Sequence, residues 1–306
     1  MVSIGLPGSS AENRMRRLLA LLLLAPLSVL AQPLPPFVLQ WPSSSNDILV
    51  AETDAAVLHH YRRDGDGTVV HQQIYMSVGL NGVGKQREWD QKTPLGVYVV
   101  TSELDTSRLH EKYGVNAFPL DYPNARDRQL GRTGSGIWLH GVLPGGERRP
   151  ERDTDGCLAI PNEDLLELSP HVVPGDTAVI IARKLDTEDV PSTNDTRDHL
   201  LRSLETWRAA AEAGDLRRLR SLYREDFTYD GLDRDTWIAS GFAAGAAGAA
   251  LEMSDVMLIA DPVEAGLFVS RFELITKKGP RLRALIKRLY WQRDDDGFRI
   301  IAEDSF

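Results

Sequence analysis

At residue 186 the hydrophobic pattern changes its period, and that change bounds what the chain can fold into. Upstream, short apolar runs alternate with turn residues. Ile48-Leu49-Val50, Ala56 to Tyr61, Thr68 to Val78, Val97 to Val100 and Asp176 to Ala182 read as strands. Asp64-Gly65-Asp66-Gly67 supplies a hairpin turn between the second and third of them. Downstream, Leu200, Leu204, Trp207 and Ala211 recur at helical spacing, as do Leu216, Leu219, Leu222 and Tyr223. Gly214-Asp215 ends the first helix and caps the second. Long strands follow at 256–259, 267–276, 282–291 and 298–302, turning at Lys278-Gly279-Pro280 and Asp296-Gly297. The expected fold class is a mainly β domain with short helices, then an α+β unit in which helices pack on a curved antiparallel sheet. Between them, 186–195 is polar, acidic and broken by Pro191, which reads as a linker. The domains expected are 32–185 and 196–306. Residues 33–45 read as an irregular lead-in, 102–113 as a short helix and 118–124 as a rigid proline-rich loop. Asn162-Glu163-Asp164 reads as the cap of a short helix through Leu168.

The first 31 residues have a different character. Arg14-Met15-Arg16-Arg17 precedes an apolar run from Leu18 to Leu30, and Ala31 offers a small residue before Gln32. The run is shorter than the roughly 20 residues that span a bilayer, so it reads as a secretory signal peptide, 1–31. Met15 is a second candidate start. The expected location is the periplasm or the exterior, with no stable membrane span. The formal charge is −9, and −11 without the first 31 residues, which hold three arginines and one glutamate. Such an acidic chain is poorly matched to nucleic acid.

Cys157 is the only cysteine. In an exported protein a lone thiol is either buried and inert or kept for reactivity. Gly156 precedes it, and the polar turn Asp153-Thr154-Asp155 precedes that. His140 ends the apolar run Ile137-Trp138-Leu139, seventeen positions upstream. A thiol, a histidine and a glycine turn are the parts of a cysteine nucleophile site, with His140 as the base and the Gly156 and Cys157 N–H groups as an oxyanion hole. A backbone carbonyl, with Gly141 the candidate, would hold the imidazole. Zinc needs three or four ligands, and the other histidines show no ligand spacing, so neither a metal nor a cofactor is expected. The Asp64–Gly67 stretch lacks the Glu and flanking helices of a calcium loop, and Gly131 to Gly136 lacks the Gly-Lys-Ser/Thr of a phosphate loop.

Thr93-Pro94-Leu95-Gly96-Val97-Tyr98, Ile137-Trp138-Leu139-His140-Gly141 and Thr154-Asp155-Gly156-Cys157 together resemble the L,D-transpeptidase (YkuD-type) catalytic domain, over roughly 46–183. Phe118 to Asn124 followed by Gly131-Arg132-Thr133-Gly134 resembles a subgroup of these exported murein enzymes. The resemblance implies a β-sandwich with the thiol at the base of a cleft and peptidoglycan stem peptides as substrate. It makes Cys157 the nucleophile, His140 the base, Gly141 the orienting carbonyl and Gly156 part of the oxyanion turn. Substrate contacts are expected at Arg132, Tyr122, Trp138, Thr154 and Asp155. Two positions depart from the pattern. Asp155 stands where many members have histidine, and Ala159 where many have arginine or asparagine. Arg132 is the expected replacement cation. The second domain resembles a SnoaL-like cone of the nuclear-transport-factor-2 type. A similar pair occurs in cell-shape L,D-carboxypeptidases, where the cone is thought to bind a small molecule or glycan. Arg271, Arg281, Arg283 and Lys287 are its expected lining, against the alternative of a solvated sheet face. The expected activity is trimming of tetrapeptide to tripeptide by an L,D-carboxypeptidase, with L,D-transpeptidation the near alternative. A non-catalytic wall-binding protein is the alternative from a different class.

Overall fold

The computed structural model describes residues 1–2, 34–146, 149–185, 194–240 and 246–306. The expected signal peptide and most of the expected linker lie outside the described residues. Residues Pro33–Phe306 form one compact unit.

Its N-terminal part is built on a five-stranded sheet. The strand order is Val69–Tyr75, Val57–Arg63, Asp47–Glu52, Ala178–Ala182, Gly96–Val99. The first three strands are antiparallel neighbours, and the Asp64–Gly67 turn joins two of them. Ala178–Ala182 enters parallel to Asp47–Glu52 and antiparallel to Gly96–Val99. A strand enclosed in this way has both faces buried, which accounts for its unbroken Ala-Val-Ile-Ile-Ala run. Val179 and Ile181 pack into one core with Leu49, Tyr98, Leu139 and Leu158. Ala178, Ile180 and Ala182 face the opposite way, into a core shared with Trp207, Leu258 and Tyr290. One sheet therefore closes two hydrophobic cores.

A second, three-stranded sheet carries the chemistry-bearing segments, in the order Leu158–Ala159, Trp138–His140, Ala117–Pro119. The C-terminal part is an antiparallel sheet of Ala250–Ala260, Leu267–Lys278, Arg281–Asp294 and Gly297–Ser305. Register shifts at Ser254/Met257 and Tyr290/Trp291 bend it. Helices Asn194–Ala213 and Leu216–Leu222 bury Leu200, Leu204, Trp207, Leu219 and Leu222 on it. Gly214 turns between them at φ +68°, and Asp215 caps the second by accepting from Arg218 N. This is the expected mainly β domain with a C-terminal α+β cone.

Several local expectations are corrected. The lead-in is not wholly irregular: Val38–Gln40 pairs with Ala250–Ala260 as the edge of the C-terminal sheet. Residues 102–113 hold two single 3-10 turns, Thr106–Arg108 and Glu111–Tyr113, because each is stopped within three residues. The rigid loop at 118–124 begins as strand Ala117–Pro119. It then runs into helix Ala125–Gln129, which Asn124 and Asp127 close with a capping box. Asn162 opens the helix Asn162–Leu168 but does not cap it, since its side chain is used on another loop.

Candidate active site

The nucleophile candidate sits where a turn feeds a strand. Thr154 Oγ1 donates to Cys157 O at 2.8 Å and accepts from Gly156 N at 3.1 Å, tying the turn closed. Gly156 has φ +124°, and a Cβ there would lie 2.7 Å from Lys92 O and 3.1 Å from Ile137 Cδ1. Only glycine fits both constraints. Leu158 and Ala159 then pair in parallel with Leu139 and His140. That register sets Cys157 level with Trp138. Side chains two apart on a strand share a face, so the thiol and the His140 ring project to the same side. Cys157 Sγ lies 3.5 Å from Gly136 O, and the Trp138 backbone N–H favours the thiolate.

His140 is held from behind. Its Nδ1–H donates to Gly141 O at 2.5 Å, which leaves Nε2 as the basic nitrogen. The Tyr113 ring meets the imidazole edge-on at 5.2 Å. Gly141 is positioned by Asn162, whose Oδ1 accepts from Val142 N (3.0 Å) and Val115 N (3.3 Å) and whose Nδ2 donates to Val142 O (2.9 Å). A Cβ on Gly141 would fall 2.2 Å from that oxygen.

Both groups line one cleft of about 410 Å³. Both are also nearly covered, His140 at 4% exposure and Cys157 at 7%. Burial pushes the thiol up to about 11 and the imidazole down to about 4. Lys112 and Arg149 favour the thiolate, and Asp155 opposes it. Desolvation thus outweighs the groups that favour the thiolate, and it holds both the thiol and the imidazole towards their neutral forms.

The cleft walls come from separate segments. Asp155 bridges to Lys112 at 3.4 Å and accepts from Gln91 Nε2 at 3.3 Å. Arg149 pairs with Asp153 at 2.8 Å. Lys85, almost fully buried, donates to Asp90 Oδ1 at 2.9 Å. Trp89 stands on the rim, 87% exposed and at φ +63°, an uncommon conformation for a bulky residue.

Of the expected substrate-contacting residues, Thr154 and Asp155 line the cleft. Trp138 is partly buried with its ring 4.7 Å from that of Tyr113. Tyr122 and Arg132 lie outside the lining. Tyr122 is buried with its hydroxyl on Thr133 O, and Arg132 is turned to Asp127 at 2.8 Å. Among the described residues, the cations that reach the cleft are Lys85, Lys112 and Arg149, which belong to no motif and are brought in by tertiary folding. Gly156 N–H is engaged by Thr154, which leaves Cys157 N–H as the oxyanion donor from this turn. In the C-terminal part, Arg271 and Lys287 are buried, on Asp176 and Glu303 respectively, while Arg281 and Arg283 are exposed. His59 and His60 point to opposite faces of their strand, one towards His71 and the other onto Asp47.

Residues 46–181 match the family model of the YkuD L,D-transpeptidase catalytic domain. Among solved structures, the helical cell shape determining protein Pgp2 of Campylobacter jejuni is 26% identical with a TM-score of 0.73, covering 88% of this chain and 95% of that one. Bd1075 of Bdellovibrio bacteriovorus shares the fold at 22% identity and a TM-score of 0.68, covering 89% and 97%. No curated protein matches the chain. The chain carries a YkuD-type L,D-transpeptidase catalytic domain, and Cys157 and His140 both fall within it. Among the described residues, no helix is long and apolar enough to cross a membrane.

Proposed function

We propose that this protein is an exported peptidoglycan stem-peptide enzyme that works through a thioester on Cys157 and trims tetrapeptides to tripeptides. The observation that carries the reading is the shared cleft: Cys157 and His140 open into it together, with the imidazole Nδ1–H committed to Gly141 O. His140 Nε2 takes the thiol proton as sulfur attacks the carbonyl of the third stem residue. The Cys157 N–H faces the developing oxyanion. The C–N bond then breaks, and the imidazolium returns its proton to the departing D-alanine amine. Water, deprotonated by His140, attacks the thioester and releases the tripeptide, and the thiolate leaving group is reprotonated.

The neutral resting pair suits this sequence, because proton transfer accompanies attack instead of preceding it. Lys112 and Arg149 lower the cost of the negative charge that appears on sulfur. Asp155 and Ala159 replace the histidine and the arginine or asparagine that many members carry, and this departure favours water over a second stem peptide as acceptor. Likeness to a helical cell shape determining protein supports a role in cell-shape control, and the first 31 residues support export to the periplasm.

The test is incubation with a disaccharide tetrapeptide, with and without an amine acceptor, followed by product masses. Loss of one D-alanine in both mixtures, abolished by Cys157→Ala, is the expected result. A 3–3 crosslinked product as the main species replaces trimming with transpeptidation. No change in the muropeptide, with sacculus binding retained, overturns the enzyme reading.

A further inference from the structure

We propose that Arg288, on the C-terminal sheet, is a positioning residue for the catalytic cleft. Through Asp121 it fixes the backbone whose Gly136 carbonyl touches the nucleophilic sulfur. The inference rests on the reading of Cys157 as nucleophile.

Among the described residues, every residue lining the cleft lies between Lys85 and Cys157. The C-terminal part can therefore act on the chemistry only through contacts behind the cleft. Arg288 makes the most direct one. It is 2% exposed, and its Nη2 donates to Asp121 Oδ2 at 2.5 Å. Its Nε and Nη2 also hold both oxygens of Asp304, at 2.9 and 2.6 Å. Asp304 Oδ2 in turn accepts from Ala125 N, the first residue of helix Ala125–Gln129. A guanidinium fork of this kind fixes the direction of a carboxylate as well as its charge.

Asp121 passes the constraint on. Its Oδ1 accepts from Val99 N at 2.7 Å and its own N–H donates to Val99 O at 3.1 Å, so side chain and backbone are locked to one residue. The preceding residue, Leu120, donates its N–H to Ile137 O at 2.9 Å. Ile137 is bonded directly to Gly136, whose carbonyl lies 3.5 Å from Cys157 Sγ, and to Trp138, whose N–H favours the thiolate. The Ile137 side chain also approaches the Gly156 turn, 3.1 Å from the place a Cβ would take. One hydrogen bond and two covalent links thus join Asp121 to the atoms that touch the sulfur. A buried ion pair is weak evidence for stability, whereas fixing one register is a role it fills well.

The test compares Arg288→Gln, Arg288→Lys, Asp121→Asn and the Arg288→Gln/Asp121→Asn double variant in the full chain, with Arg126→Ala as control. Arg126 pairs with Glu264, in the loop joining strands Ala250–Ala260 and Leu267–Lys278 of the same sheet, and not with Asp121. Arg288→Gln is expected to lower kcat about tenfold or more with KM within about threefold, since small displacements near a nucleophile act on turnover. Arg288→Lys should recover part of the loss, the double variant should be no worse than Arg288→Gln, and Arg126→Ala should keep its kcat. A folded Arg288→Gln protein with the wild-type kcat overturns the inference, and so does an equal loss in Arg126→Ala. If Arg288→Gln does not fold, Asp121→Asn decides alone, and a wild-type kcat there overturns it. If the wild-type protein turns over no muropeptide, the same variants are compared by the rate at which iodoacetamide alkylates Cys157. An unchanged rate in Arg288→Gln overturns the inference whatever the substrate is.

Discussion

At the scale of single residues, the site is governed by desolvation. A thiol held at about 11 and an imidazole at about 4 share no proton at neutral pH. Alkylation of Cys157 by iodoacetamide should therefore rise about tenfold per pH unit between about 7 and 10, because only the thiolate reacts. A plateau near neutral pH would instead indicate a preformed ion pair. The imidazole also ties stability to pH. Its folded pKa is depressed from 6.5 to about 4, so its contribution is complete above 6.5 and is lost as pH falls towards 4. Between pH 7 and 4.5 that loss is about 2–3 kcal/mol, at about 1.4 kcal/mol per unit. Urea denaturation should show it in the wild type, and His140→Gln should lack most of it. His140 and Cys157 were legible in the sequence because each sits beside a glycine on a short apolar run, at a spacing one strand–turn–strand unit can close. Arg132 misled because sequence shows a cation but not its partner, and the buried Asp127 claims it.

At the scale of elements, short segments hold the site by steric necessity. Gly156→Ala adds a Cβ 2.7 Å from Lys92 O at φ +124°. Thermal melts should show a loss of about 2–3 kcal/mol, and the variant should lose turnover because the turn carries the nucleophile. Asn162→Ala removes three hydrogen bonds to Val115 and Val142 and frees Gly141, the residue that orients His140. A stability loss of about 1–3 kcal/mol is expected, with kcat down about tenfold or more and a smaller change in KM. Asn162 was legible as a helix start, but its actual work was not, since the loop it serves lies twenty residues away. The turns at Asp64–Gly67, Gly214-Asp215 and Lys278-Gly279-Pro280 were legible because glycine and proline act locally. The helix Ala125–Gln129 was not, because its five residues carry no amphipathic repeat to detect.

At the scale of the whole molecule, the two halves are joined through one sheet and a set of buried charges. The change of period at residue 186 reads as a passage from a β-rich part to an α+β part. It could not reveal that Ile180 faces the C-terminal core while Ile181 faces the other, since an unbroken apolar run does not say which side it buries against. Inside the cone, Lys287 pairs with Glu303 at 2.6 Å, and Tyr223 donates to the same carboxylate. Lys287→Met leaves that carboxylate without its cation and should cost about 3–5 kcal/mol by chemical denaturation. The account as a whole depends on a covalent intermediate. Its most direct test is the intact mass of the full chain after rapid acid quench from a mixture with disaccharide tetrapeptide. The account predicts a transient gain equal to the disaccharide tripeptide acyl group, mapped to Cys157 and absent from Cys157→Ala. Steady turnover with no such adduct, or turnover that survives Cys157→Ala, would contradict it.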